Sequence, residues 1–137
     1  MKTVYLAGAI HHVSPEEAIG WRKVAREALE AAGFKVFDPT DGKNLGIPGI
    51  NTTYYTPAEI VEKDKAMIDR SDYVLMEIAR TVIPYHGTSM ECLYAWERGK
   101  PVIVWGGCRS YWVRYHATKI FDDLESALAE LIKGMEG

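Results

Sequence analysis

Glu91 closes the run Gly87-Thr88-Ser89-Met90-Glu91, where a loop is expected to enter a helix, so the helix N-terminus would favour a carboxylate there. Two readings stay open. Thr88 and Glu91 have the T-x-x-E spacing of a capping box, in which the acid serves only the backbone. Alternatively the acid is reactive, beside a Gly87 that lets the chain approach a ligand closely. Asp64 falls with Ile60, Met67 and Ile68 on one apolar stripe of its helix and is expected to point inward. A carboxylate in that place either pairs with a Lys or Arg at the edge of the stripe or has the raised pKa of an acid–base group. Tyr5 ends a short strand-like run, where its ring would be buried while its hydroxyl reached the mouth of a site. A purely core tyrosine is the other reading.

Other side chains are candidates for binding. His11 and His12 follow Gly8-Ala9-Ile10, which leaves the first strand, and are expected to touch a ligand. Tyr54, Tyr55 and Tyr85 fall in the two longest irregular stretches, where an aromatic face can stack on a planar ligand, and Trp112 is a weaker candidate; loop packing is the other reading for all four. Gly8-Ala9-Ile10-His11 is neither GxGxxG nor a P-loop, which excludes the commonest dinucleotide and triphosphate sites, and no GxSxG elbow is present. The histidines His11, His12, His86 and His116 lack metal-ligand spacing, so neither metal nor cofactor is expected.

The elements that must position these groups alternate. Thr3-Val4-Tyr5-Leu6-Ala7 reads as a buried strand ended by Gly8. A capping box with proline, Ser14-Pro15-Glu16-Glu17, opens a helix whose apolar positions Ala18, Trp21, Val24, Ala25, Leu29 and Ala32 recur until Gly33. Lys35 to Asp38 is a second strand, and residues 40–55 read as a long binding or gating loop. Thr56-Pro57-Ala58-Glu59 starts the next helix, which runs to about Arg70 or Ser71 before the strand Tyr73 to Met76. A loop from Ala79 to Gly87 precedes a helix from about Ser89 to Arg98, closed by Gly99, and Pro101 to Trp105 is a fourth strand. After Gly106-Gly107 no period is clear until an edge strand, Lys119 to Phe121, and an amphipathic helix through Leu124, Ala127, Leu128, Leu131 and Ile132.

Strands separated by helices require right-handed crossovers, so the expected fold is α/β: a single domain, residues 1–137, built as a three-layer sandwich. Its sheet would be parallel and flavodoxin- or Rossmann-like, with four to five strands in the order 2-1-3-4-5. Ligands of such sheets bind beyond the carboxyl ends of the strands where the order reverses, here the loops that begin at Gly8 and Ala79. The 137 residues are 47% hydrophobic and 26% charged, enough for a core and a polar surface. A net charge of -3 argues against a nucleic-acid polymer as partner, and no apolar run approaches the roughly 20 residues of a membrane span. Met1-Lys2-Thr3 leads straight into the first strand, so no signal peptide is expected, and Cys92 and Cys108 look like reduced thiols. A cytoplasmic location follows as an expectation.

Three separated motifs then resemble one family: Tyr5-Leu6-Ala7-Gly8-Ala9-Ile10; Asp64 followed by Ser71-Asp72-Tyr73-Val74-Leu75; and Gly87-Thr88-Ser89-Met90-Glu91 with Tyr94-Ala95 and Gly99-Lys100-Pro101-Val102. They look like the nucleoside 2-deoxyribosyltransferases and the related deoxynucleoside 5'-monophosphate N-glycosidases, over roughly residues 3–105. The resemblance implies Glu91 as nucleophile, Asp64 assisting the departing base and Tyr5 positioning the nucleophile. The expected substrate contacts are Gly8, Ala9, Ile10, His11, Tyr85, Gly87 and Ser89. The expected activity is transfer of 2-deoxyribose between bases, with a nucleoside or nucleotide and a free nucleobase as partners and a homo-oligomer as the working form. Some transferases carry an additional aspartate six residues before the nucleophile, and the monophosphate hydrolases a serine; this chain has Tyr85 there. Hydrolysis of nucleoside 5'-monophosphates is therefore the rival activity, with His11, His12 and Ser89 as phosphate contacts. A non-catalytic nucleotide-binding module is the third reading.

Overall fold

In the computed structural model, which describes residues 1–10, 12–41, 56–80, 83–108 and 110–136, strands and helices alternate from end to end. They are β1 (Thr3–Ala7), α1 (Pro15–Ala31), β2 (Lys35–Phe37), α2 (Pro57–Asp69), β3 (Tyr73–Glu77), α3 (His86–Glu97), β4 (Val102–Trp105), α4 (Tyr111–His116), β5 (Lys119–Phe121) and α5 (Leu124–Glu136). The sheet is five-stranded and wholly parallel, as the alternation requires, and its order is the expected flavodoxin-like β2-β1-β3-β4-β5. From position 42 the expected long loop lies outside the described residues, and so do His11, Tyr54 and Tyr55.

Side-chain parity along β1 divides the core. Val4 and Leu6 face α1 and α5, packing with Ala25, Leu29, Leu128 and Leu131, whereas Tyr5 and Ala7 face the opposite layer with Met67, Ile68, Cys92 and Ala95. Tyr5 is therefore committed to the side occupied by α2 and α3. A one-residue register slip would bury its ring under α1 instead.

Local chemistry starts and stops the helices. Ser14 and Thr56 cap α1 and α2 through their hydroxyls, and Thr56 with Glu59 completes a reciprocal capping box. The capping box, one of the two readings of Thr88 and Glu91, does not form. α3 begins at His86 with Tyr85 as its N-cap, no side chain caps it, and Ser89 N already donates to Tyr85 O at 2.8 Å. Thr88 is consequently buried inside the first turn, and Glu91 is the sixth helical residue rather than the third. The stripe of α1 also differs: Val24 is exposed, Trp21 half-buried, and the buried positions are Ala18, Arg22, Ala25 and Leu29. Residues 111–116, where no period was legible, form α4 behind a Ser110 cap.

Glycine is structurally required where β4 ends. Gly106 has φ +102°, and a Cβ there would lie 2.4 Å from Cα of Ala79, so the backbones after β3 and β4 touch. Among the described residues no helix is long and apolar enough to cross a membrane, and both cysteines are free.

Candidate active site

The carboxyl ends of β1 and β3, α2 and the start of α3 enclose a cleft of about 440 Å³. Gly8, Ala9 and Ile10 supply one wall, Ile60, Asp64 and Ile68 a second, and Tyr85, Gly87 and Glu91 a third. This is the switch point of the strand order, as expected for the fold. Most of the lining is apolar, so electrostatic interactions within the cleft are less screened than in water.

Behind this lining the Tyr5 hydroxyl donates a hydrogen bond to Glu91 Oε2. Tyr5 is fully buried, and its pKa is driven well above the usual phenol value, first by burial, then by the charges of Glu91 and Asp64. It therefore keeps its proton and stays a donor. Two distant chain segments thus fix one carboxylate oxygen. Asp64 lines the same cleft from α2, half-buried, close enough for its charge to act on Tyr5.

The remaining expected contacts divide. A Cβ at Gly87 would meet open space, so the backbone there is accessible to a ligand. At Gly8 a Cβ would lie 2.9 Å from the Trp21 ring and 3.1 Å from Cβ of Glu77, so this glycine is needed for packing as well. Ser89 is half-buried but is not among the cleft-lining residues; its neighbour Thr88 is. His12 and His86 stand exposed at the rim, while His116 and Trp112 pack against each other on α4, outside the lining. No group of three or more potential metal ligands occurs among the described residues.

The family model for nucleoside 2-deoxyribosyltransferases matches residues 4–124. The chain belongs to this family. Among solved structures, this deoxyribosyltransferase-family chain is similar to the 2-deoxyribosyltransferase of Leishmania mexicana (20% identity, 97% of this chain and 98% of that one, TM-score 0.72). It is likewise similar to the 2-deoxyribosyltransferase of Bacillus psychrosaccharolyticus (19% identity, 92% and 90% covered, TM-score 0.70). A CMP N-glycosidase of Clostridium botulinum shares the fold too (22% identity, 95% and 98% covered, TM-score 0.65). A search of curated proteins gives no match.

Two buried charges of this family member escaped the reading of its sequence. Arg22 is 0% exposed; its guanidinium donates to Ala18 O at 2.8 Å, Gly8 O at 3.0 Å and Ala9 O at 3.5 Å, and lies 3.6 Å from Asp38. Glu77 ends β3 and is also buried. Both signals were present: Arg22 lies four residues after Ala18 and three before Ala25, and Glu77 is the sole charge in Val74-Leu75-Met76-Glu77-Ile78. The criterion applied to Asp64, a charge on an apolar face, would have found both.

Proposed function

We propose that the protein cleaves the N-glycosidic bond of 2'-deoxynucleosides and transfers the deoxyribose to another base through an ester on Glu91. The observation that carries this reading is the Tyr5 hydroxyl held on the Glu91 carboxylate in a cleft that Asp64 also lines. Departure of a base leaves an oxocarbenium-like sugar, which a Glu91 oxygen captures at the anomeric carbon as the carbon–nitrogen bond breaks. Asp64 delivers the proton that the departing base takes up and recovers it from the incoming one. Tyr5 orients the nucleophile through its hydroxyl. The apolar walls at Ile60, Ile68 and Met90 favour an incoming base over water.

Hydrolysis of nucleoside 5'-monophosphates is the second reading, favoured by Lys65, His12 and His86 around the cleft, where a phosphate would find an ammonium and imidazole N–H donors. The relatives by fold include both 2-deoxyribosyltransferases and a CMP N-glycosidase, which is compatible with either outcome. Supplying a deoxynucleoside with a second free base should give a new nucleoside faster than free deoxyribose, with ping-pong kinetics. If only a deoxynucleoside monophosphate reacts, and acceptor base leaves the rate unchanged, hydrolysis replaces transfer. No release of base from either substrate would leave a binding module.

We further propose that the chain works as a homo-oligomer in the cytoplasm, where its free thiols would stay reduced. An exposed aromatic cluster supports self-association: Trp96, Trp112 and Tyr115 surround His116 with ring centroids 4.9 to 6.1 Å from it, and Tyr111 is exposed nearby in the chain. Sedimentation at working concentration should show a dimer or larger, and Trp112→Asp with Tyr115→Asp should yield a monomer. A wild-type monomer with full activity would contradict the proposal.

A further inference from the structure

Glu77 joins three separate points of the chain. Its Oε2 accepts from the Ala79 amide at 2.7 Å and from the Tyr85 hydroxyl at 2.5 Å, and its Oε1 accepts from the Ala9 amide at 3.4 Å. The Tyr85 hydroxyl accepts in turn from the Arg80 amide at 2.9 Å. A hydrogen bond as short as 2.5 Å to a carboxylate is of the charge-assisted kind, roughly twice as strong as a neutral one. Both ends of this connection are placed where they matter. Ala9 belongs to the cleft wall that β1 delivers, and Tyr85 is the N-cap of α3, the helix that carries Glu91. Among the described residues no side chain makes a capping hydrogen bond to that helix, and its start is tied instead to β3 through the Tyr85 hydroxyl on Glu77.

We propose that Glu77 and Tyr85 are a pair of positioning residues, in which one buried carboxylate fixes the separation between the Gly8–Ala9 wall and the start of the Glu91-bearing helix. The inference rests on the reading of Glu91 as nucleophile. With the separation set, Glu91 meets the anomeric carbon of a sugar lying against Ala9 within near-attack distance, and displacements of an ångström matter at that range. Arg22 reinforces the same wall from behind through the Gly8 and Ala9 carbonyls. The Tyr85 ring lines the cleft while its hydroxyl is engaged by Glu77, so deleting the hydroxyl leaves the wall its shape.

Tyr85→Phe tests the pair. The variant should lower kcat for base release about tenfold while KM changes less than about threefold, since alignment is lost and the binding surface is kept. The Ala9 amide, held by the far oxygen of Glu77, should exchange with solvent faster in Tyr85→Phe than in the wild type, as read by NMR. Tyr85→Phe combined with Glu77→Gln should be no slower than Glu77→Gln alone, because the two act as a unit. Unchanged kcat in Tyr85→Phe, or faster exchange confined to residues 79–86 with Ala9 unaffected, would overturn the proposal. If the wild type releases no base, the enzymatic reading fails, and the exchange of Ala9 still decides whether Glu77 and Tyr85 set the separation.

Discussion

Glu91→Gln should reduce base release by roughly a thousandfold or more while leaving the fold intact. On the proposed mechanism the carboxylate forms the ester bond, and an amide oxygen is too weak a nucleophile to replace it. The substitution is nearly isosteric, and a glutamine carbonyl can still accept from the Tyr5 hydroxyl, so the floor of the cleft should keep its geometry. Thermal melting within a few degrees of the wild type, together with loss of turnover, is the expected combination. Mass spectrometry of the wild type under substrate should reveal a deoxyribosyl adduct on the peptide containing Glu91, and the variant should lack it. Wild-type turnover in Glu91→Gln would remove the nucleophile assignment.

Arg22→Met should cost about 3 kcal/mol of folding free energy. The arginine sits fully buried among the carbonyls of Gly8, Ala9 and Ala18 with Asp38 beside it, and methionine fills the volume without donating to any of them. Thr40 still donates to Asp38 at 2.8 Å through its amide and 2.6 Å through its hydroxyl, and Arg26 lies 3.8 Å away, which keeps the loss below that of a fully abandoned charge. Burial lowers the guanidinium pKa from its usual value, mainly by desolvation, yet Asp38 acts in the opposite sense and favours the cation. Arg22→Lys should fall between wild type and methionine, because one ammonium cannot reach the same acceptors in a fork. Urea denaturation at neutral pH measures both. A loss under about 1 kcal/mol for methionine would mean that water replaces the guanidinium and that Arg22 does not hold the β1–α1 turn.

Legibility in the sequence followed the range of the forces involved. The parallel sheet and its layers were readable because alternation and crossover handedness restrict them, the order 2-1-3-4-5 was one of the arrangements they allow, and β5 was found even though it spans only Lys119–Phe121. The caps of α1 and α2 were readable because Ser14 and Thr56 act on amides three residues away. α3 was misplaced for the converse reason: its first turn is held through Tyr85 by Glu77 on another element, and a local T-x-x-E match cannot register a tertiary anchor. On α1 the search for apolar periodicity passed over Arg22, whose cost of burial is offset by carbonyls that only the folded β1–α1 turn presents. Tyr5, Asp64 and Glu91 were each ambiguous alone. Alternation of elements located the cleft at the switch point, while the grouping of these three residues came from motif resemblance, since parity along β1 and the rotation of α3 are not local properties.

The bond between Tyr5 and Glu91 joins residues 86 positions apart, and its donor lies on a strand that must pair with β2 on one side and β3 on the other. Such a contact carries a high loop-closure cost and belongs to the slow, non-local part of folding. Neither half of the chain holds Tyr5 and Glu91 together, so a proteolytic fragment ending before α3 would retain strands yet lack the proposed nucleophile. A refolding chain should therefore bring the Tyr5 hydroxyl to Glu91 only once β1 is seated between β2 and β3.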